Sequence, residues 1–376
     1  MSKAAELAAL IANVNKGSSL ANKNFIINGN MTVAQRATSF SFAHDGTISS
    51  YTTDRFAGQI WQNTDELDGT FAQVADAPSG TGLTHSLKWT TGTAETAVAS
   101  DESLWVEQKI EAQNVRELCY GTADAKPVTL SFWVKSSITG TFNSSLYQAD
   151  GNRVITNTYS ISSANTWEYK TLTFAGDTSG TINDDTGEGL RPYWNIFAGD
   201  DYTTTDRTSW GSYSSATWAY GHTQNAHATT SGATFFLTGV QLEVGEKATE
   251  FEHESFETTL RKCQRYYEKS YDHDTALAAV TDTGTLYGPG ATGNLTTGLL
   301  GTTQTYTTSK RASATLVIYD PAGNSGKCLR DNFGVASSAN QAIATAYGGT
   351  KGFLVYSSGT YNAQTIVYHF TADAEL

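Results

Sequence analysis

Alternating apolar and polar residues dominate the chain from residue 23 to about residue 252. In Val128–Ser137 (VTLSFWVKSS) every second residue is apolar, so one face of a strand is hydrophobic and the other, which includes Trp133, is polar. Leu104–Glu111 and Thr166–Phe174 are also rich in β-branched and aromatic residues bounded by turn formers. Short strands separated by Gly, Asn, Asp and Ser, with little helix between them, predict an all-β fold: an antiparallel β-sandwich of the jelly-roll type.

Helical spacing occurs at the start of the chain. Residues 2–16 have Ser2 as a possible N-cap, apolar residues three and four apart, and Gly17 as a stop signal. So short a helix is marginal alone and requires a partner. One interpretation is a small trimeric bundle that aligns three chains or inserts into a larger assembly. The other is an amphipathic helix that lies against its own domain.

A second helical pattern divides the rest of the chain into two β-rich parts. Charges alternate with apolar residues in 253–270, and strand-like runs return beyond it at Ala314–Asp320, Lys351–Ser358 and Thr365–Leu376. The length of this last part is sufficient for a second, smaller β-sandwich. The predicted organisation is an N-terminal helix for assembly or attachment (1–22), a jelly-roll domain (23–252), a helical linker (253–270) and a C-terminal β domain (271–376).

Charge and composition restrict the class of partner. The 376 residues carry a net charge of −13, which disfavours nucleic acid and anionic membrane surfaces. Neutral saccharides or other proteins remain as partners. We find no apolar run of about 20 residues and no secretory signal, so we expect a protein made in the cytoplasm without membrane insertion. The three cysteines, Cys119, Cys263 and Cys328, are widely spaced, and we interpret them as free thiols.

Seven segments follow one another in a specific order along the chain. They are NFIINGNMTVAQR (Asn24–Arg36), YTTDRF (Tyr51–Phe56), VEQKIE (Val106–Glu111), TLSFWVKSS (Thr129–Ser137), WEYKTLTFAGDT (Trp167–Thr178), LTGVQLEVGEKATEFE (Leu237–Glu252) and CQRYYEKSY (Cys263–Tyr271). The ordered set resembles the jelly-roll module of bacteriophage tail-fibre proteins of the marine and cyanobacterial type. In architecture that module is similar to carbohydrate-binding jelly rolls. The chain departs from the family at Phe56, where Trp is frequent, and its last hundred residues match only in style and in the closing ADAEL.

The resemblance implies a virion structural protein, a tail fibre or receptor-binding protein that recognises host cell-surface glycans without catalysis. It further implies a homotrimer, contacts with other virion proteins through the N-terminal region, and a place in the virion after synthesis in the host cytoplasm. One alternative is a structural adaptor or capsid decoration (head fibre) protein without glycan binding. Another is a polysaccharide depolymerase, since sequence does not reveal whether two carboxylates face each other. The chain has no GxSxG elbow, phosphate loop or cysteine-protease signature.

The motifs of the resemblance are interpreted as structural. Asn28, Gly29 and Asn30 are turn formers, and Gly and Asn tolerate a positive φ. We expect Asp54 and Arg55 to pair or to satisfy buried backbone groups, since charged residues are rarely unpaired inside a sandwich.

Aromatic residues are the candidate glycan contacts, because sugars stack on ring faces and accept a few fixed hydrogen bonds. Trp133 is the first candidate, since its strand phase places it on the polar face. The other candidates lie in the long polar and aromatic tract between Gly176 and Gly232: Tyr193, Trp194, Trp210, Trp218 and Tyr220. The alternative for each is packing in the core, under its own loop or at an interface.

No cofactor is expected, and calcium is the one metal with any support. Asp184, Asp185 and Glu188 offer oxygen ligands in an acidic turn, but they lack the spacing of the helix-loop-helix calcium loop, so a solvated turn is favoured. His222 and His227 form no metal-binding motif and are interpreted as surface residues.

Overall fold

Two antiparallel sheets face each other over the first two thirds of the chain. The computed structural model describes residues 23–42, 48–62, 67–288, 294–331, 338–362 and 365–376, together with Lys3, so the helix predicted for 2–16 otherwise lies outside the described residues. The first strands in chain order are β1 (Ser39–Phe42), β2 (Ile48–Thr53), β3 (Phe56–Trp61), β4 (Gly69–Val74), β5 (Ser86–Thr91), β6 (Ser103–Glu107), β7 (Ile110–Glu111), β8 (Val128–Ser136), β9 (Gly140–Gln148), β10 (Arg153–Ile161), β11 (Glu168–Phe174), β12 (Glu188–Ala198), β13 (Gly211–Ser212) and β14 (Thr234–Val244).

The strands form a sandwich. Sheet A has the strand order β1-β4-β5-β14-β8-β11, and sheet B has the order β13-β10-β9-β12-β6-β3-β2, with β7 paired to β12. Single 3₁₀ turns lie at Ala112–Asn114, Arg116–Leu118, Asp200–Tyr202 and Ser215–Thr217, and one helical turn, α1, at Ala226–Thr229. The predicted all-β class and antiparallel jelly-roll sandwich are confirmed. No helix among the described residues is long and apolar enough to span a membrane.

Side chains from both sheets meet in one hydrophobic core. The apolar positions of β8 that the alternation predicts are all fully buried, and among them Phe132 contacts Trp194 of sheet B with ring centroids 5.7 Å apart. On the opposite face of β8, Thr129 is also buried, because its hydroxyl donates to the carbonyl of Gly245 (2.7 Å) in a segment that covers this end of sheet A. Trp133 and Lys135 lie beyond that cover and remain partly exposed. The polar face of β8 is therefore partly open at Trp133 and Lys135.

The opening and closing segments of the first part contact each other. The amide of Phe25 donates to the carbonyl of Leu242 (2.9 Å), and the amide of Val240 donates to the carbonyl of Gly29 (3.0 Å). A Cβ at Gly29 would lie 2.1 Å from the Val240 oxygen, so only glycine fits there. Asn28 has φ +62°, in agreement with a turn at this position. The opening segment thus forms backbone hydrogen bonds with β14, so its role is structural.

Arg55 lies at a buried junction between the sandwich and the C-terminal end of the chain. Its guanidinium donates to the Glu375 carboxylate and to the carbonyl of Lys109, and it lies 3.4 Å from the ring centroid of Tyr266. Asp54 accepts the amide of Gln35 (2.9 Å). The expectation that Asp54 and Arg55 pair or satisfy backbone groups is confirmed.

Further ion pairs join the two parts at the same junction. Arg265 makes two hydrogen bonds to the buried carboxylate of Glu111 (2.6 and 2.7 Å), and Arg36 pairs with Asp373 (2.9 Å). Arg311 donates to the carbonyl of Thr186 (3.0 Å). Residues of the ordered sequence segments, such as Arg36, Glu111 and Arg265, therefore help to hold the C-terminal part against the sandwich.

The C-terminal part is built on its last strand. Helix α2 (Phe256–Gln264) precedes the strands of this part, and its N-cap residue Ser255 accepts a hydrogen bond from the Thr258 amide. The strands are β15 (Tyr267–Lys269), β16 (Leu286–Gly288), β17 (Asn294–Thr305), β18 (Thr315–Tyr319), β19 (Lys327–Asp331), β20 (Ser338–Ala342), β21 (Ala344–Ala346), β22 (Gly352–Asn362) and β23 (Thr365–Asp373). β23 pairs with β15, β16, β18 and β19, and β22 lies between β17 and β21. A second hydrophobic cluster, which includes Phe353 and Phe370, fills this part.

Candidate functional site

An aromatic groove lies on the outer face of sheet B. It has a volume of about 540 Å³ and is lined by Gln59, Trp61, Ser103, Trp105, Glu107, Lys109, Tyr147, Arg191, Tyr202, Tyr213, Ser215 and Trp218. Seven of these residues come from β3, β6, β9 and β12, whose alternation sends Gln59, Trp105 and Arg191 outward while their neighbours fill the core. The other lining residues are Lys109, which follows β6, and four residues of the segment 199–225.

The floor of the groove is a hydrogen-bonded polar cluster around Glu107. Its carboxylate accepts the indole N–H of Trp105 (2.8 Å), the side-chain amide of Gln59 (3.2 Å) and Nη1 of Arg191 (3.1 Å). Glu188 binds the other edge of the Arg191 guanidinium with two hydrogen bonds (2.8 and 2.7 Å). These bonds fix the orientation of the Trp105 ring, which is only partly buried. The floor thus presents an oriented ring face beside several hydrogen-bonding groups.

The segment 199–225 builds one wall by folding over β12. The ring of Trp218 stacks on Tyr193 with centroids 3.8 Å apart and an interplanar angle of 10°, and the Tyr193 hydroxyl donates to the Trp218 carbonyl (2.7 Å). Trp218 also meets Trp105 edge to face at 5.5 Å, and Tyr213 contacts both Trp218 (5.7 Å) and Tyr147 (5.4 Å). The wall is therefore a contiguous set of aromatic rings held in place by their mutual contacts.

The two ends of the groove differ. Trp61, 47% exposed, lies at the open end beside Ser103. At the other end Lys109 donates to the backbone oxygen of Leu376 (2.9 Å), so the C-terminal part adjoins the groove there. Ser103 and Lys109 are six residues apart along an extended segment, which corresponds to a length of about 20 Å.

The charges in and beside the groove balance. Burial alone lowers the pKa of Arg191, but the carboxylates of Glu107 and Glu188 outweigh burial and raise it, so the guanidinium stays charged. With Lys109, the two cations match the two carboxylates. Burial raises the pKa of Tyr202 to about 12, so its hydroxyl stays protonated near neutral pH and donates to the carbonyl of Asp101 (2.7 Å). The groove thus offers a surface of balanced charge.

Of the aromatic residues predicted as glycan contacts, Trp218 lines the groove and Tyr193 supports it. Tyr193 is fully buried beneath Trp218, so its role in the groove is to position that ring. Trp194, the next residue, faces the opposite side of β12 and is fully buried between Phe56 and Phe132. A ligand in the groove cannot reach Trp194. The prediction of Trp194 as a glycan contact is therefore wrong, and the residue belongs to the core.

The other predicted aromatic contacts lie outside the groove. Trp210 donates its indole N–H to the carbonyl of Ala175 (2.6 Å) and packs edge to face on Tyr120 (5.7 Å), as in the packing alternative. Tyr220 is half-buried and is not among the groove residues. Trp133 lies on the outer face of sheet A, on the other side of the sandwich.

The candidate calcium ligands do not converge on one point. Asp184 pairs with Arg116 (3.7 Å), Asp185 accepts the amide of Gly187 (2.8 Å), and Glu188 binds Arg191. Within the described ranges, no group of three or more His, Cys, Asp or Glu side chains is placed to hold a metal ion.

The two histidines interpreted as surface residues are buried, which corrects that interpretation. His222 donates through Nε2 to the carbonyl oxygen of Gln224 (2.6 Å), and Nε2 of His227 lies 2.9 Å from the Ser136 hydroxyl. Both rings pack edge to face on Phe142 (5.5 and 5.6 Å). Burial lowers the pKa of His222 to about 4 and that of His227 to about 3, so both are neutral at physiological pH.

Sequence reasoning missed Trp61, Trp105, Tyr147, Tyr202 and Tyr213 as groove residues. A signal existed for Trp105, because in LWVEQ the residues Leu104 and Val106 alternate with Trp105 and Glu107 as the β8 residues do around Trp133. No comparable local signal marks Tyr213, which reaches the groove only through the fold of the segment 199–225.

No protein-family model matches the chain, and no curated protein does either. Among solved structures, the enzymatically active domain of tailspike protein 4 of bacteriophage CBA120 aligns at 12% identity and a TM-score of 0.31, over 59% of this chain and 22% of that one. The CBM22-1 xylan-binding domain of Xyn10C from Paenibacillus barcinonensis aligns at 14% identity and a TM-score of 0.25, over 57% and 99%. The family 11 carbohydrate-binding module of Lic26A-Cel5E from Clostridium thermocellum aligns at 11% identity and a TM-score of 0.26, over 59% and 96%. What those proteins bind or cleave is a property of those proteins.

Proposed function

We propose that the chain is a glycan-binding protein whose ligand, a neutral oligosaccharide, lies in the groove on sheet B. The observation that carries the proposal is the combination of an aromatic wall with a hydrogen-bonding floor. The partly exposed rings of Trp105 and Tyr213 offer apolar faces for the C–H faces of sugar rings, and the buried Trp218 holds them in place. The partly exposed side chains of Gln59 and Arg191 offer polar atoms to sugar hydroxyls. A length of about 20 Å suits a chain of several sugar rings better than a monosaccharide.

Charge supports a neutral ligand. The two cations and two carboxylates at the groove offset one another, so an anionic polymer gains no net attraction there. The net charge of −13 disfavours nucleic acid in the same way.

The proposed role is binding without catalysis. Glu107 lines the groove and Glu188 lies beside it, and Arg191 bridges both carboxylates. A glycosidase needs one carboxyl group to protonate the leaving oxygen and a second to act as base or nucleophile. Carboxylates committed to one guanidinium are poorly suited to either task.

The biological context that we propose is a receptor-binding protein of a bacteriophage fibre, in keeping with the ordered motifs of the sequence. Host surface glycans would be the ligand, and a homotrimer would present three grooves. Groove binding of one oligosaccharide is weak when few rings are buried, and three linked sites raise avidity through effective concentration. A structural adaptor and a polysaccharide depolymerase are the competing roles.

The test is oligosaccharide-array binding by the purified protein, followed by titration of the best ligand. Trp105→Ala removes an oriented ring face, and losing about 50–100 Å² of apolar contact weakens binding by roughly tenfold or more. Tyr287→Ala is the matched control, because this aromatic residue is 62% exposed in the C-terminal part, away from the groove, and its removal is expected to leave affinity unchanged.

The outcomes separate the roles. If the wild type binds no array oligosaccharide and no host cells, the protein is an adaptor and the proposal is wrong. If Trp105→Ala binds as tightly as the wild type, the groove is not the site. Release of reducing sugar from host polysaccharide would identify a depolymerase.

A further inference from the structure

A pair of aromatic rings lies on the face of the sandwich opposite the groove. Trp133 of β8 and Tyr169 of β11 are direct cross-strand neighbours on the outer face of sheet A, with ring centroids 5.3 Å apart and an interplanar angle of 48°. β11 is the last strand of the sheet, and Tyr169 is 43% exposed. Because the ring pair and the groove lie on the outer faces of different sheets, one ligand chain cannot lie on both faces without passing around the sandwich.

On its β14 side, Trp133 lies beside a bulge of the backbone. The pairing of β14 with β8 is interrupted by a bulge after Thr238, and Gly239 in the bulge has φ +60°. A Cβ at Gly239 would lie 3.0 Å from Cδ1 of Trp133 and 2.8 Å from Cδ1 of Leu83. A larger residue there would crowd both the indole and the Leu83 side chain, so glycine lets these two side chains pack closely over the β14 backbone.

Polar and charged groups border the rings. Lys135, two residues along β8, pairs with Asp76 and lies 5.0 Å from the ring centroid of Trp167. The indole N–H of Trp167 also donates to Asp76 (3.2 Å). Beside the ring pair there is thus a fixed set of hydrogen-bonding groups, as small polar ligands require.

We propose that Trp133 and Tyr169 form a second glycan-binding site, independent of the groove. The exposed area of the two rings favours a glycan over a protein as the ligand. With about 150–250 Å² per aromatic side chain, the open parts of these two rings amount to roughly 200 Å² or less. A stable protein interface needs about 800 Å² on each partner. The next cross-strand pair on this face, Ser131 and Thr171, is polar and does not extend the apolar surface in that direction. The patch matches one or two sugar rings.

Two sites on opposite faces give the protein a property that the groove alone lacks. One molecule can bind two polysaccharide chains, or two stretches of one long chain, and thereby bridge them. Linked binding of this kind raises the apparent affinity for a polymer without changing the affinity for a short oligosaccharide.

The test is native affinity electrophoresis of the full chain in gels that each contain one polysaccharide: xylan, mixed-linkage β-glucan, galactan, mannan, alginate or pectin. Trp133→Ala and Tyr169→Ala are each expected to weaken retardation about tenfold in apparent dissociation constant. Trp105→Ala is expected to leave residual retardation, which the double variant Trp105→Ala/Trp133→Ala loses. Thr171→Ala, at the next outward position of β11, is the matched control and is expected to migrate like the wild type.

The outcomes distinguish this site from the groove. If Trp105→Ala removes all retardation and both ring variants behave like the wild type, the second site is refuted while the proposed function stands. If the ring variants remove retardation and Trp105→Ala has no effect, the second site stands and the groove proposal fails. Absence of retardation of the wild type by all six polysaccharides overturns both. Tyr169→Ala keeps the test valid if Trp133→Ala does not fold, because Tyr169 lies on the edge strand of the sheet and is 43% exposed.

Discussion

Replacement of Glu375 by Gln tests the junction between the sandwich and the C-terminal part. The Glu375 carboxylate bonds to Arg55, whose side chain is 1% exposed, and lies 3.4 Å from Nη2 of Arg36. Glutamine keeps the size and one acceptor oxygen of the side chain but removes its charge. Burial already lowers the pKa of Arg55, which shows how poorly this position solvates the cation.

The expected loss in the free energy of unfolding is about 3 kcal/mol. Breaking a buried ion pair by removing one partner costs roughly 3–5 kcal/mol, because the other charge stays buried without compensation. The lower end applies since Arg55 keeps the Lys109 carbonyl and the Tyr266 ring, and the glutamine oxygen still accepts one hydrogen bond.

Urea unfolding followed by tryptophan fluorescence measures the effect. Glu257→Gln is the matched control, because Glu257 pairs with Arg261 (2.8 Å) in a pair that is about two thirds exposed, and its loss is expected to cost no more than about 0.5 kcal/mol. A double replacement, Arg55→Met with Glu375→Leu, should recover part of the loss, since an apolar pair needs no compensating charge. If Glu375→Gln costs no more than Glu257→Gln, the buried pair does not hold the junction.

Two more predictions concern buried residues of the sandwich. His222 and His227 have pKa values near 6.5 in the unfolded chain but about 4 and about 3 in the folded protein, so the unfolded chain binds more protons below pH 6.5. The free energy of unfolding therefore falls as the pH drops from 6.5 to 5, by at most about 2.7 kcal/mol per pH unit for the two histidines together. Urea titrations at several pH values measure this slope, which His227→Gln should roughly halve; an unchanged slope in that variant would contradict the assignment. Trp194→Ala should cost about 3–5 kcal/mol in the same assay, because it leaves a large cavity between Phe56 and Phe132. A loss below 1 kcal/mol would show that Trp194 is not a core residue.

Local alternation and strand-forming composition were sufficient to predict some of the strands and, for β8, the inner face. β8 follows its predicted phase, and β18, β22 and β23 occur where strand-like runs lie in the sequence. Period-two alternation reports which residues share a face of a strand, and burial follows wherever the other sheet covers that face. What covers the outer face is not local, which is why Thr129 is buried although its phase is polar.

The groove depends on contacts between distant residues, and sequence reasoning therefore found only part of it. Tyr193 and Trp218 are 25 residues apart and meet only after the segment 199–225 has folded back over β12. Tyr193 and Trp194 are adjacent and both aromatic, yet Tyr193 faces the groove and Trp194 faces the core. No local sequence pattern shows which of the two points inward, because β12 has a bulge after Asn195 that interrupts the alternation. His222 and His227 have polar neighbours in sequence but apolar neighbours in space, such as Phe142.

The edge-to-face contact between Trp105 and Trp218 gives the groove an optical signature of its own. Two indoles with centroids 5.5 Å apart couple their electronic transitions, which produces a paired signal in the circular dichroism of the folded protein. A ligand in the groove that shifts either ring alters that signal. Trp133 has Tyr169 as its ring neighbour, so a ligand on sheet A leaves the coupled pair unperturbed. Occupancy of the groove can thus be followed in unlabelled protein, without interference from a ligand on sheet A, by the spectrum of one indole pair.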